Sequence, residues 1–252
     1  MKRFARRRTN GDHDGDHEQV RHFVVRFIGR SSFDFQNREI FRERQYLFET
    51  DSAAPFVVDC GANIGMSVLY FKGLYPEARV LAFEPDPGAF ACLRENVDGN
   101  ALANVRLENA ALATAEGEID FFYDQADPAS LRMSIVRERM PRDKRTVRAV
   151  RLSRFLDEDV DFLKLDVEGA ELDVVRDLAQ SGKLRLVQQM LVEYHHHIVR
   201  TQDRLAELLA LFEENHFGYQ IEGHLDRPLP RERSQDVRIY AYRKSLPDQV
   251  SA

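Results

Sequence analysis

One stretch constrains this chain more than any other: Val57-Val58-Asp59-Cys60-Gly61-Ala62-Asn63-Ile64-Gly65-Met66-Ser67. A β-branched run enters a glycine-bearing turn, and a helix-forming segment leaves it. Strand, turn and helix in that order make the first half of a βαβ unit, which calls for a parallel sheet with helices packed on it. Gly61 is expected to let the backbone approach a ligand with no Cβ in the way, and Gly65 to let the new helix lie close to the strand. The free N–H groups at the helix start favour a ligand that carries acceptors. In an open α/β sheet such ligands sit at the carboxyl ends of the strands, where this turn lies.

The rest of the chain repeats the alternation. Strands are expected at Phe56–Val58, Val80–Phe83, Val105–Leu107 with Ala110–Leu112, Glu118–Tyr123, Val147–Leu152, Phe162–Leu165 and Leu186–Glu193, and finally at Tyr219–Glu222 and Val237–Tyr242. Helices are expected at Pro87–Asn96, Glu171–Ala179 and Thr201–Glu214, the last with Leu205, Leu208, Leu209 and Phe212 on one face. The final two strands have no helical text between them and should pair antiparallel. Before the first of these strands, His22–Ile28 reads as a strand, Gly29–Ser32 as a turn and Arg38–Phe48 as a helix. The division expected is a disordered tail over 1–20, basic then acidic; an N-terminal strand/helix extension over 21–54; the main domain over 55–245; and a C-terminal tail over 246–252.

A second element sits at the end of the next strand, Phe83-Glu84-Pro85-Asp86. An acidic side chain there accepts hydrogen bonds from both hydroxyls of a ribose. Glu84 is the ribose ligand of choice, with Asp86 second. A dinucleotide site would show G-x-G-x-x-G. Asn63 stands where the second glycine, the one that makes room for a pyrophosphate, belongs. The ligand is therefore a nucleoside without a diphosphate, and S-adenosylmethionine fits. Asp59 is placed to hold its ammonium or to brace the loop, with Ser67 at the helix start.

These segments, with Asn109-Ala110-Ala111-Leu112 and Asp161-Phe162-Leu163-Lys164-Leu165-Asp166-Val167-Glu168-Gly169-Ala170-Glu171, resemble the FkbM family of methyltransferases. The resemblance covers roughly Arg38 to Glu193. It implies a class I methyltransferase Rossmann-like fold: a mostly parallel seven-stranded sheet with an antiparallel last strand and helices on both faces. It also implies S-adenosylmethionine as methyl donor, S-adenosylhomocysteine as product, and acceptor hydroxyls on small molecules such as sugars or natural products. By the same resemblance Asn109 and Ala110 lie near the adenine, and Tyr46 covers the cofactor. The cofactor set is then Tyr46, Asp59, Gly61, Ala62, Asn63, Ser67, Glu84, Pro85, Asn109 and Ala110.

The chemistry is expected at two other strand ends. Phe162, Lys164, Asp166 and Glu168 alternate and so share one side of a strand. A lysine and an aspartate in an apolar strand are costly unless paired, so Lys164 is expected to pair with Asp166. Glu193-Tyr194-His195 ends a further strand, and if the two strands are neighbours Glu168, Glu193 and His195 converge. An alcohol must lose its proton to accept a methyl group, and a positioned base contributes about 10²–10⁴-fold. His195 is the base by intrinsic pKa, with Glu168 or Asp166 as carboxylate alternatives. A divalent metal held by the carboxylates is a third route, less favoured because no close-spaced ligand motif is present. The stretch Asp124–Arg145 reads as a substrate-facing flap. Ser130, Met133 and Ser134 would touch substrate, while Arg132, Arg137, Arg139, Arg142 and Arg145 either meet an anionic one or stay solvated.

Composition sets the outer limits. The chain has 252 residues and a formal charge of −6, which disfavours a nucleic-acid partner. An RNA methyltransferase using the basic arm Lys2, Arg3, Arg6, Arg7 and Arg8 is the rival enzyme, and a non-catalytic nucleoside-binding protein the rival of another class. No apolar run reaches the roughly 20 residues that span a bilayer. Cys60 and Cys92 suit reduced, packed thiols, so a cytoplasmic location is expected.

Overall fold

The computed structural model describes residues 16–127, 130–199, 202–224 and 234–244. The basic arm, His13 and the 246–252 segment lie outside them. In chain order the strands are β1 (Asp16–Val20), β2 (Phe23–Phe27), β3 (Phe56–Cys60), β4 (Arg79–Phe83), β5 (Val105–Glu108), β6 (Ala111–Leu112), β7 (Gly117–Tyr123), β8 (Asp143–Val150), β9 (Val160–Leu165), β10 (Val187–His196), β11 (Phe217–Gly223) and β12 (Gln235–Arg243). The α-helices are α1 (Arg30–Gln36), α2 (Met66–Leu74), α3 (Pro87–Gly99), α4 (Glu171–Gln180) and α5 (Leu205–Glu214).

The main sheet has seven strands in the order β11-β12-β10-β9-β3-β4-β5. All run parallel except β12, which is antiparallel to both neighbours. This is the sheet expected. Every residue of β3 is buried because both faces of the sheet are covered. Val57, Val80, Ala82 and Phe162 pack with α2, α3 and the N-terminal segment. Val58, Cys60, Leu81 and Leu163 pack with α4 and α5 on the other face. The second sheet, β6-β8-β7, stands beside the first. It takes Ala111–Leu112 out of the main layer, although the sequence reads continuously from Val105. A local rule places the start of α3: Asp86 caps it by accepting from the Gly88 and Ala89 N–H groups, with Pro87 at its first position.

Four expectations change. The helix expected from Thr201 begins at Leu205. Asp16–Val20 is no tail; it is strand β1, hydrogen-bonded antiparallel to β2 with Val20 opposite Phe23. The polar text hides its single apolar anchor, the buried Val20. The N-terminal helix starts earlier than its pattern suggests, at Arg30, and continues as a π-helical turn over Asn37–Arg42. Residues 43–48 leave helical geometry because Phe41, Tyr46 and Phe48 must all reach the core, and Arg44 turns the chain at φ 59°. The flap is shorter at its far end, since Asp143–Arg145 already belongs to β8.

The extension is fastened to the sheet layer by side chains that complete its backbone. Asn96 of α3 accepts from the Arg26 N–H at 2.7 Å and donates to the Arg26 carbonyl at 2.8 Å. Asn100 makes the same pair with Val24 at 2.9 and 2.8 Å. The edge of β2 is thereby closed to other strands. These contacts deliver Gln36, Ile40 and Tyr46 to the mouth of the β3 turn, and Gln45 to Glu193 on β10.

Candidate active site

A cavity of about 640 Å³ opens over the carboxyl ends of β3, β4, β9 and β10. Its first half is built on the glycine turn. Gly61 has φ +88°, and a Cβ there would stand 1.9 Å from the Asp166 carbonyl oxygen. The glycine is required by the neighbouring strand end rather than by a ligand. Gly65, at φ +92°, would meet Leu93 of α3 at 2.6 Å, so its close contact is helix on helix. Gly61→Ala is expected to cost about 1–3 kcal/mol in backbone strain alone, read as a lowered thermal midpoint together with weakened cofactor binding. An unchanged midpoint would mean that the turn has another conformation.

Between the glycines, Asn63 takes φ 47°, a left-handed conformation that asparagine tolerates. Its N–H donates to Glu84 Oε2 at 2.8 Å, and the Asp86 N–H donates to Glu84 Oε1 at 2.8 Å. Glu84 is 4% exposed and lines the cavity. Burial pushes its carboxyl up to about 8, against the pull of those two N–H groups. Ala62, Asn63, Ser67, Pro85, Ala110 and Tyr46 line the same half. Asp59 and Asn109 do not: the Asn109 amide donates to the carbonyls of Glu84 and Pro85, at 2.8 and 3.2 Å, and so braces that strand end.

Asp59 is fully buried behind the turn. It accepts from Ser67 Oγ at 2.5 Å and lies 3.3 Å from Lys164 Nζ. Lys164 is the hub. Its ammonium donates to the Gly61 carbonyl at 2.8 Å, lies 3.4 Å from Asp166 Oδ2, and sits 5.4 Å from the centre of the Tyr46 ring. Burial pulls this ammonium down, but Asp59, Tyr46 and Asp166 outweigh it and hold it well above its ordinary value. Lys164 is therefore a fixed cation that ties the β3 turn to the end of β9; it has no free lone pair for proton transfer.

The other half of the cavity is carboxylate-rich. β9 and β10 are parallel neighbours, so Asp166, Glu168, Glu193 and His195 reach one mouth. Asp166 and Glu168 lie beyond the end of β9, and Glu168 takes φ 58°, so the alternation over Phe162–Lys164 does not continue through them. His195 is 5% exposed and clamped, with Nδ1 2.9 Å from Glu171 Oε1 and Nε2 3.2 Å from Glu168 Oε2. Burial lowers its pKa, yet the two carboxylates override this and raise it to about 10. At neutral pH His195 is an imidazolium and lacks the lone pair that a base needs. Glu171 is pushed up by burial, but His195 and the Gly169 N–H hold it below its ordinary value. Burial and nearby Asp166 push Glu193 up to about 8. Gln45 donates to Glu193 Oε2 at 3.3 Å.

The sequence model of the FkbM methyltransferase domain matches residues 59–221. The chain belongs to the FkbM methyltransferase family. A protein of Beauveria bassiana named Methyltransferase 1 is 30% identical over 210 residues, covering 75% of this chain and 82% of its own. The 2-O-methyltransferase NoeI of Sinorhizobium fredii is 30% identical over 149 residues, 52% of this chain and 60% of its own. A crystal structure of a methyltransferase FkbM from Methylobacillus flagellatus superposes with a TM-score of 0.52 at 20% identity. It covers 79% of this chain, which spans 46% of that longer one. The fold is that of class I methyltransferases, and this chain is a methyltransferase.

The cavity of this FkbM methyltransferase suits the S-adenosylmethionine expected from the sequence: a buried carboxylate, Glu84, at the β4 end, an asparagine where a diphosphate would need glycine, and apolar walls from Phe83, Ala110 and Leu112. Sequence reasoning missed Gln36, Glu39 and Gln45, which the extension brings in from far along the chain, and it missed Glu171. Glu171 is in the first turn of α4, where an acidic residue is ordinarily explained by the helix dipole. Of the His195-His196-His197 run, only His195 lines the cavity. Asp166, Glu168 and His195 have ligand atoms within 4.8 Å of one another, a spacing that a metal ion can span. Here, however, both His195 nitrogens face carboxylates, and Glu168 is already compensated by a guanidinium, that of Arg139.

Proposed function

We propose that this FkbM methyltransferase methylates a hydroxyl oxygen of a small molecule, with Glu193 as the base. One observation carries the reading: a single cavity has a ribose-type carboxylate, Glu84, at one end and a carboxylate with an elevated pKa, Glu193, at the other. That NoeI is named a 2-O-methyltransferase agrees with an alcohol acceptor.

S-adenosylmethionine supplies an activated methyl group on a positively charged sulfur. Glu84 accepts the two ribose hydroxyls, the Gly61–Asn63 turn bounds the amino-acid portion, Tyr46 covers it, and Ala110 flanks the adenine. Glu193 Oε takes the acceptor's proton. Its raised pKa makes it a stronger base than an ordinary carboxylate. Asp166, held by Lys164, orients the acceptor, and the imidazolium of His195 offsets the negative charge at the mouth. Phe121, Leu131, Met133 and Ile135 line that half and exclude water. The RNA alternative is disfavoured by the acidic residues on the wall, with Glu39, Asp166 and Asp236 placed to repel a phosphate backbone. Two buried free thiols agree with a reducing, cytoplasmic setting, and among the described residues no helix is long and apolar enough to cross a membrane.

Screening hydroxylated small molecules with methyl-labelled donor tests the reading; label found only in RNA, or in no acceptor at all, would overturn it. A base that ionises near 8 sets the pH profile. Below that pH Glu193 holds its proton, so kcat/KM should fall about tenfold per pH unit and level off above it. With the methyl donor saturating at every pH, so that Glu84 does not contribute, E193Q should remove both the slope and about 10²–10⁴-fold of the rate. A profile that is unchanged in E193Q removes Glu193 from the role.

A further inference from the structure

The flap carries one buried charge, Arg139, 9% exposed. Its neighbours serve elsewhere or face solvent. Arg142 pairs with Asp124 at 2.8 Å and Arg145 with Asp86 at 3.1 Å, while Arg132 and Arg137 are exposed. Arg139 Nε donates to Glu168 Oε2 at 2.6 Å, and its Nη2 lies 3.9 Å from Asp236 Oδ1. The same Glu168 oxygen faces His195 Nε2 at 3.2 Å, and His195 Nδ1 faces Glu171. Arg139, Glu168, His195 and Glu171 thus form a continuous chain of polar contacts from the flap to the first turn of α4.

Other flap residues seat on the same short turn. Ser134 Oγ donates to the Glu168 carbonyl at 2.5 Å. A Cβ at Gly169 would come 3.1 Å from Val136 Cγ2. Glu168 itself sits in the left-handed region, a conformation that surrounding contacts must hold. The flap has little ladder of its own; Phe122 and Ser134 exchange two backbone hydrogen bonds at 2.7 and 3.0 Å. A guanidinium brought out of water is costly unless paired, so the Glu168 contact decides whether Arg139 stays in. Ser130, Leu131, Met133 and Ile135, carried by this flap, line the acceptor half of the cavity.

We infer that Arg139 is a positioning residue: it latches the flap over the acceptor end and holds the Glu168 carboxylate against His195. The role goes beyond the base assigned above and rests on that half of the cavity being the acceptor's. The test is amide hydrogen exchange on the full chain, with saturating S-adenosylhomocysteine as probe. R139A and E168Q should each speed exchange over 130–142 by about tenfold or more while β3 and α2 keep their rates. R139K keeps the charge but loses the planar fork, and should restore part of the protection. E168Q removes the partner from the other side, so the latch stays testable if R139A folds poorly. In ¹⁵N-histidine spectra the His195 signal should move in R139A and return toward the wild-type position in R139K, which a mere packing role would not produce. Wild-type exchange in both R139A and E168Q, or an unmoved His195 signal, overturns the proposal. Neither measurement needs an acceptor, so their outcome is separate from whether a hydroxyl is methylated.

Discussion

Replacing Lys164 with methionine should destabilise the protein by about 3–5 kcal/mol, because it leaves the fully buried Asp59 carboxylate without its cation. Methionine fills much the same space, so the loss is electrostatic rather than a cavity. Lys164 also donates to the Gly61 carbonyl and faces Asp166, and the substitution leaves both without that partner. Surface ion pairs elsewhere, such as Arg79 with Glu158, set the contrast: both partners are about half exposed, and removing one should change little. For a chain of this size each kcal/mol moves the midpoint by roughly 2–4 °C, so a drop on the order of 10 °C is expected. The double variant K164M/D59N removes both charges and should recover part of the loss, as happens when a buried pair is replaced whole. A K164M midpoint within about 2 °C of wild type would show that the buried Asp59 does not depend on Lys164, and the hub assigned to Lys164 would go with it.

What could be read from the sequence follows from how local each cause is. The β3 turn was legible because strand, glycine and helix signals are contiguous, and Glu84 because it ends the next apolar run. The mostly parallel sheet, though not its strand order, followed from the alternation of strands and helices, with the antiparallel final pair marked by the missing helix. The physical reasons for Gly61 and Gly65 were not legible: each answers to a residue on another element, Asp166 and Leu93. The state of His195 was hidden for the same reason. Intrinsic pKa made it the base, but Glu171 and Glu168 together turn it into a cation, and their approach depends on β9 and β10 being neighbours. Lys164 was paired correctly with Asp166, yet its stronger partner by distance and burial is Asp59, one strand over. Patterns along the chain find the strand ends; they do not tell which charges meet across them. The N-terminal segment shows the limit most plainly. Its helix was placed too far along, because Phe41, Tyr46 and Phe48 belong to one core without belonging to one helix.

Glu84→Ala should weaken S-adenosylhomocysteine binding by about two decades, or ~2.7 kcal/mol. Two charge-assisted hydrogen bonds to the ribose hydroxyls would contribute about 1.5–3 kcal/mol each; water entering the truncated site offsets part of their loss. The structure adds a second cost. Both Glu84 oxygens already hold backbone N–H groups, those of Asn63 and Asp86, so the alanine variant frees the β3 turn and the start of α3 together. E84Q separates the two contributions, since its single carbonyl can serve one N–H while its amide confronts the other; its affinity should fall between wild type and E84A. The pH dependence isolates the charge. The carboxyl is pushed up to about 8 by burial, and only its ionised form accepts from two N–H groups and two hydroxyls at once. Wild-type affinity should therefore rise between pH 6 and 8 and then flatten, while E84A lacks that rise. Calorimetry across this range, with NAD as a ligand expected not to bind at Asn63, decides the matter. If E84A binds S-adenosylhomocysteine as tightly as wild type at pH 8, the carboxylate at the β4 end holds only the backbone, and the ribose is gripped elsewhere.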